Sequence, residues 1–307
     1  MIYTVTLNPS LDYLVCTDTL RPGKLCRTSG ETLYPGGKGV NVSLVCAALG
    51  LPTRALGFIA GRTGALFASL LAETGVEYDF CHLDEGMTRI NVKVCAREQT
   101  ELNGTGPRIP AEALERLAET LDTLGEDDWL VLSGSVPAGV PADIYAKLLE
   151  RVRKNGVRTL LDTSGDALKN ALPCAPDLIK PNLDELDALV GGAPHNPTGI
   201  AACARELQAA GAKDILISCG AQGAVLVPVD GQALYLEATP GEVVQSVGSG
   251  DSMAAGWLYA HTHGLSAAET LRYAVAAGSA AAFSAWLPDR AAIERALAKT
   301  AMPKPVE

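Results

Sequence analysis

The sequence lacks the marks of several large protein classes. It has no stretch of about 20 consecutive apolar, uncharged residues, so no membrane span is expected. Its opening, MIYTVTLNPS, has no basic stretch followed by an apolar run, which speaks against a signal peptide and for a cytoplasmic location. Basic residues are in deficit, with 25 Lys and Arg against 35 Asp and Glu and a formal net charge of −10. A global footprint for nucleic acid is therefore missing, and a polyanionic ligand would need a local cluster of cations. None of the 8 cysteines is spaced C-x-x-C or set beside a histidine in a zinc pattern. They read as single thiols in a reducing compartment. His82, His195, His261 and His263 lie in no catalytic context, and the last two read as structural. Three nucleotide signatures are also absent. Lys38 has glycine on each side rather than a following Ser or Thr, so there is no P-loop. No G-x-G-x-x-G follows the first strand, and the protein-kinase set is missing.

What is present is a βα rhythm over 307 residues, 48% of them hydrophobic, which suits a single α/β domain. Residues 2–7 read as a strand stopped by Asn8-Pro9, 40–49 as a helix, 53–59 as a strand and 65–74 as a helix. Residues 88–96 alternate, with Ile90, Val92 and Val94 on one face and Arg89, Asn91 and Lys93 on the other. That pattern predicts a half-buried strand, paired with residues 25–34 in a small sheet apart from the main one. Helices at 111–124, 141–155, 183–189 and 197–210 alternate with strands at 129–132, 157–161, 178–180 and 214–218, which predicts a mainly parallel sheet with helices on both faces. A hairpin at 223–229 and 232–237 interrupts the rhythm, and helices at 252–262, 266–286 and 289–298 close it.

Five segments carry chemistry. Val247-Gly248-Ser249-Gly250-Asp251 precedes a long helix; two glycines and a helix N-terminus make an anion site from main-chain amides, with Asp251 at its mouth. Asp251 could be an ordinary helix cap, but a cap needs no glycine pair before it. Its functional reading is the base that takes a proton from an attacking hydroxyl while Gly248, Ser249 and Gly250 hold a phosphate. Gly36-Gly37-Lys38-Gly39-Val40-Asn41 allows close approach of a polyhydroxyl ligand, with Lys38 and Asn41 hydrogen bonding. Arg89 on the polar strand face, joined by Arg27 and Lys38, suits a sugar that already carries a phosphate. Asn182 and Glu185 share a helix-start face. They form a capping box, an outer shell for Mg2+ through water, or both. Ser218 to Gly223 forms a turn after a strand, either plain or lying under a nucleotide. The turn around Ser135 is a further candidate for touching substrate.

These segments resemble the ribokinase-like (PfkB) sugar kinases nearly end to end, most specifically at Gly36–Asn41 (GGKGVN) and Val247–Asp251 (VGSGD). Asn182–Glu185 is similar to that family's N-x-x-E magnesium motif. Asn8-Pro9 with Asp12, Thr88–Val94 (TRINVKV) and Thr100–Gly106 (TELNGTG) resemble the branch containing 1-phosphofructokinase and tagatose-6-phosphate kinase, with the strand favouring the former. The resemblance implies a three-layer α/β/α sandwich over residues 1–307, with a small β-sheet lid from about 10–35 and 87–106 that would also pair two subunits into a homodimer. It implies ATP and Mg2+ as cofactors, with K+ left open, and a sugar phosphate as the partner rather than a membrane or nucleic acid. Asp251 and the Gly248–Gly250 hole would be catalytic. Asp12, Arg27, Gly37, Lys38, Asn41, Arg89, Asn91 and Ser135 would meet the sugar. ATP would lie near Lys180, Asn182, Ser218, Gly220, Gly223, Gly250 and Ser279.

Overall fold

A computed structural model describes residues 1–97, 99–192 and 195–306. The chain opens with β1 (Ile2–Thr6), β2 (Ser10–Cys16), β3 (Gly30–Gly36) and α1 (Lys38–Ala48). Next come β4 (Thr53–Ala60), α2 (Gly61–Ala72), β5 (Glu77–Leu83), β6 (Arg89–Cys95) and β7 (Thr100–Asn103). A regular stretch follows: α3 (Ala111–Leu121), β8 (Trp129–Ser133), α4 (Ile144–Arg153), β9 (Arg158–Asp162), α5 (Gly165–Ala171), β10 (Leu178–Ile179), α6 (Leu183–Val190), α7 (Pro197–Ala209) and β11 (Asp214–Ser218). The chain ends with β12 (Ala224–Val227), β13 (Leu234–Leu236), α8 (Ser249–Thr262), α9 (Ala267–Ala282), α10 (Arg290–Lys299) and β14 (Lys304–Pro305).

The large sheet runs β14-β13-β12-β11-β10-β9-β8-β1-β4-β5. From β5 to β11 every neighbouring pair is parallel, and the β11–β12–β13–β14 edge is antiparallel. Its central strands, such as β8, are apolar on both faces because helices cover both. In β8, Trp129 and Val131 join the core under α1, α8, α9 and α10, whereas Leu130 and Leu132 join the core under α3 to α7. β1 sits between β4 and β8, where the strand order reverses, and ligands of open α/β sheets bind at the strand ends beside such a point. No described helix is long and apolar enough to cross a membrane.

The sequence-predicted rhythm stands, with two corrections in the small sheet, ordered β3-β2-β6-β7. Residues 25–34 are not the partner of β6: β2 runs parallel to β6 between the two, and β3 pairs only with β2. The Asn8-Pro9 turn masks the start of β2, which follows β1 almost at once. The faces of β6 are also reversed from the usual reading of an alternating strand. Asn91 and Lys93 are buried, while Ile90 is 37% exposed, so the polar face looks onto the body of the protein. β5 and α5 carry no sharp pattern and went unpredicted; β5 (EYDFCHL) is a polar edge strand.

The lid is joined to the body at one end. Ser10 pairs with Gly36 and with Arg89, and Asn103 pairs with Asn91, so all four crossings of the chain lie close together. Thr88 fixes one crossing, accepting from Ala60 N at 2.9 Å and donating its own amide to Ala60 O. A second contact is aromatic: Tyr34 of β3 stacks on Trp286, beyond α9, with centroids 4.1 Å apart and planes 6° apart.

Candidate active site

The N-cap of α8 is Gly248, whose left-handed φ of 73° favours glycine and whose Cβ would also crowd Leu287. The amides of Gly250 and Asp251 lie ahead of the helix's first intrahelical bond, from Ser252 N to Gly248 O at 2.8 Å, and are therefore open to a ligand. Asp251 does not cap the helix. Its Oδ2 accepts from Asn41 Nδ2 of α1 at 2.7 Å, so the two glycine-rich motifs meet at one hydrogen bond although 210 residues separate them.

Next to this pair lies Asp162, at the end of β9 and fully buried. Lys38 Nζ donates to its Oδ1 at 3.0 Å, and Lys180 Nζ sits 3.1 Å from its Oδ2 as an ion pair without good hydrogen-bond direction. Sequence reading missed Asp162, because an aspartate before Thr-Ser-Gly looks like a turn residue. Burial alone would raise its pKa, but Lys180 and Lys38 outweigh burial and hold it below the usual aspartate range. Asp162 in turn raises the Lys38 ammonium above its ordinary range, against burial. Burial pushes Asp251 up from 3.8 to about 6, and the charge of Asp162 adds to that rise; Lys38, the Asn41 bond and Lys180 oppose it. A carboxylate with that value is ionised at neutral pH yet basic enough to draw a proton.

Behind Gly250 opens a cavity of about 580 Å³ lined by Asn182, Ser218, Gly220, Gly223, Gly250 and Ser279, among others. Six residues expected to meet a nucleotide thus share one wall. The lining also includes apolar Val243, Met253, Val275 and Phe283. Lys180 is not part of that lining; it is buried beneath, with Nζ 3.1 Å from where a side chain at Gly250 would begin. Asn182 and Glu185 form a full capping box, Glu185 N donating to Asn182 Oδ1 at 2.8 Å and Asn182 N to Glu185 Oε2 at 2.9 Å. Glu185 Oε1 stays outside the box, 3.8 Å from Lys38 Nζ.

On the lid side, Asp12 is buried and held by three partners. It accepts from Ser10 Oγ at 2.7 Å and Asn91 Nδ2 at 3.1 Å, and pairs with Lys93 Nζ at 2.9 Å. Lys93, which sequence reading left unassigned, also lies 5.5 Å from the Trp286 ring centroid. Gly36 must be glycine here, because a Cβ would come within 2.6 Å of the Asp12 carboxyl. The Arg89 guanidinium is steered by Asn8 O, 3.0 Å from Nε, and Asp12 offsets part of the burial cost of its charge. Several buried amide oxygens here, Asn8 Oδ1, Asn41 Oδ1 and Asn91 Oδ1, have no protein donor among the described residues. Gly37 opens α1 next to them, and Ser135 is exposed in the turn after β8, which Gly134 N fastens to Asp162 O at 2.9 Å. Arg27 is not brought here. It is exposed beyond the Cys16–Gly30 end of the lid, six residues of β2 (about 20 Å) from the Ser10–Arg89 end.

An ionisable carboxylate held between open main-chain amides and a polar lid is the layout of an enzyme that moves a phosphoryl group onto a hydroxyl. The chain belongs to the pfkB family of carbohydrate kinases, whose model matches residues 6–285. It is 40% identical over 285 residues to a 1-phosphofructokinase of Bacillus subtilis, covering 92% of this chain and 93% of that one. To a D-tagatose-1-phosphate kinase of Bacillus licheniformis it is 37% identical over 290 residues, covering 94% and 95%. Among solved structures, the phosphofructokinase-2 of Escherichia coli in complex with substrates and products superposes with a TM-score of 0.92 at 32% identity, covering 97% of this chain and 98% of that one. The same protein has been solved in complex with potassium. The chain is accordingly a phosphotransferase acting on a sugar hydroxyl.

Proposed function

We propose that the chain transfers the γ-phosphoryl group of MgATP to the 6-hydroxyl of fructose 1-phosphate, giving fructose 1,6-bisphosphate and ADP. The observation that carries this reading is the placement of Asp251, bonded to Asn41 on the sugar side and one residue from Gly250 on the nucleotide side. Asp251 accepts the proton of the attacking hydroxyl; the amides of Gly250 and Asp251, with Lys38, meet the charge on the transferring group. Asp12, Asn41 and Asn91 orient the sugar hydroxyls, and Arg89 takes the phosphate already present. When bound with ATP, Mg2+ would neutralise phosphate charge. Glu185 fits as the residue that would hold it, directly or through water, because its Oε1 is free of the capping box; Asn182 lies beside it. Among the described residues no cluster of three or more His, Cys, Asp or Glu could enclose a metal, so phosphates and waters would supply most ligands.

A panel of fructose 1-phosphate, fructose 6-phosphate, tagatose 1-phosphate and tagatose 6-phosphate in a coupled ADP assay tests the assignment. Fructose 1-phosphate should give the highest kcat/KM. A preference for tagatose 1-phosphate, the second reading favoured by the Bacillus licheniformis relative, would reassign the acceptor and keep the chemistry. Arg89→Ala should raise KM for the sugar phosphate roughly 10- to 100-fold, the worth of a charged hydrogen bond, with KM for ATP changed less than about threefold. Equal rises in both would remove Arg89 from the sugar site.

The outer lid face carries exposed Leu102 (62%) and Ile90 (37%), and Leu25 (83%) is exposed in the β2–β3 loop, which supports a homodimer formed lid to lid. Leu102→Asp should then sediment as a monomer at concentrations where the parent is a dimer. An unchanged sedimentation coefficient would exclude this face.

A further inference from the structure

The loop between β13 and α8 leads into the anion hole, and one side chain ties it down. Gln245 Nε2 faces three main-chain carbonyl oxygens: Val247 O at 3.2 Å, Ser284 O at 3.3 Å and Ala281 O at 3.4 Å. Its Oε1 accepts from Val247 N at 2.5 Å. The amide orientation follows from these partners, since reversing it would set Oε1 against three oxygens and an NH2 against Val247 N. Two hydrogens are shared among three acceptors, which accounts for contacts at the long end of the hydrogen-bond range.

The three oxygens come from two places. Ala281 lies in the last turn of α9 and Ser284 just past its end, where the helix carries its negative pole. Val247 directly precedes Gly248. A convergence of main-chain carbonyls at a helix C-terminus is the chemistry proteins offer a weakly hydrated monovalent cation. Potassium accompanies the Escherichia coli phosphofructokinase-2 in one of its structures, but an ion does not fit among these oxygens while the Gln245 amide is there. Binding one would require the side chain to withdraw and to give up Val247 N.

We propose that Gln245 supplies from within the chain the positive edge that a monovalent cation would give this carbonyl cluster, so that turnover does not depend on K+. Gln245 is a positioning residue. It holds both main-chain groups of Val247 and, through them, the start of Gly248–Asp251 against the end of α9. Without it, three carbonyl dipoles face one another at the edge of the phosphate site, and a cation is needed to reconcile them.

The test is turnover of the sugar phosphate in a tetramethylammonium buffer of constant ionic strength, with KCl titrated in. The parent should change less than about twofold, whereas Gln245→Ala should lose activity without K+ and regain roughly fivefold or more with it, the lower end of ordinary coupling between sites. A thermal melt supplies a readout apart from activity: K+ should raise the Tm of Gln245→Ala and leave the parent's unmoved. Gln245→Ser, whose hydroxyl can still accept from Val247 N, replaces the alanine variant if that does not fold. Several-fold activation of the parent by K+, or a variant that K+ neither rescues nor stabilises, would overturn the proposal. The activity arm rests on the kinase reading. A parent without turnover in every salt would count against that reading, while the melts would still decide this one.

Discussion

Asp251→Asn should lower kcat by a factor of about 10² to 10⁴, the range for loss of a general base, with KM for ATP and for the sugar phosphate little changed. The amide keeps the shape of the side chain and its contact with Asn41 but cannot take a proton. In the parent, kcat/KM should fall as pH drops through about 6, the value to which burial raises this carboxyl. The same substitution should stabilise the unliganded protein. The rise from 3.8 to about 6 means that folding disfavours the charged form by on the order of 3 kcal/mol. The sign follows from proton uptake: between those two values the folded state binds more protons than the unfolded one, so stability falls as pH rises through that window. The cost is absent below about pH 4 and fully present above about pH 6. Urea melts of parent and Asp251→Asn should therefore separate above pH 6 in favour of the variant and converge near pH 4. Parent-like turnover in the variant, or melts that fail to separate, would place the reacting proton elsewhere.

The second large effect is expected at Asp162. Asp162→Asn should destabilise the protein by about 3–5 kcal/mol, the usual result of removing one partner from a buried ion pair, because Lys180 is left charged and buried. It should also move the acid limb of the pH–rate profile below that of the parent. Asp162 is the like charge that helps raise Asp251, and without it Lys38 and Lys180 act on Asp251 alone. A weaker base should follow, with kcat down about tenfold or more at neutral pH. Lost stability with an unmoved acid limb would make Asp162 a structural anchor for the two lysines and nothing further.

These two residues also show what the sequence discloses and what it withholds. Asp251 is legible because its meaning is local: two glycines, a helix start and a carboxylate lie within five residues. The wall proposed for the nucleotide is legible for a similar reason, since Ser218, Gly220 and Gly223 stand at the end of an apolar strand, where α/β ligands bind. Asp162 is illegible because its meaning depends on Lys38, 124 residues away, and on Lys180 arriving from the next strand. Lys93 is similar: an alternating strand reveals its two faces but not which one is covered, and β6 turns its polar side inward. The pairing of the lid failed on the same ground. β2 lies between β3 and β6, and strand order is a property of the whole chain. Arg27 carries the right charge, but the fold leaves it at the far end of the sheet.

The lid's attachment at one end makes it a lever. Asp12 and Asn91 lie about 7 Å from the row of crossings and the Cys16–Gly30 tip about 20 Å, taking ~3.3 Å per residue. A swing of about 20° would therefore carry the tip about 7 Å while moving Asp12 and Asn91, the side chains proposed to meet the sugar, only about 2 Å, on the same residue spacing. A spectroscopic label at Cys26 would report the stroke at nearly full amplitude without touching the grip. In the proposed lid-to-lid dimer, each copy would feel the other's stroke as a push, so occupancy at one acceptor site would be transmitted to its twin by leverage alone.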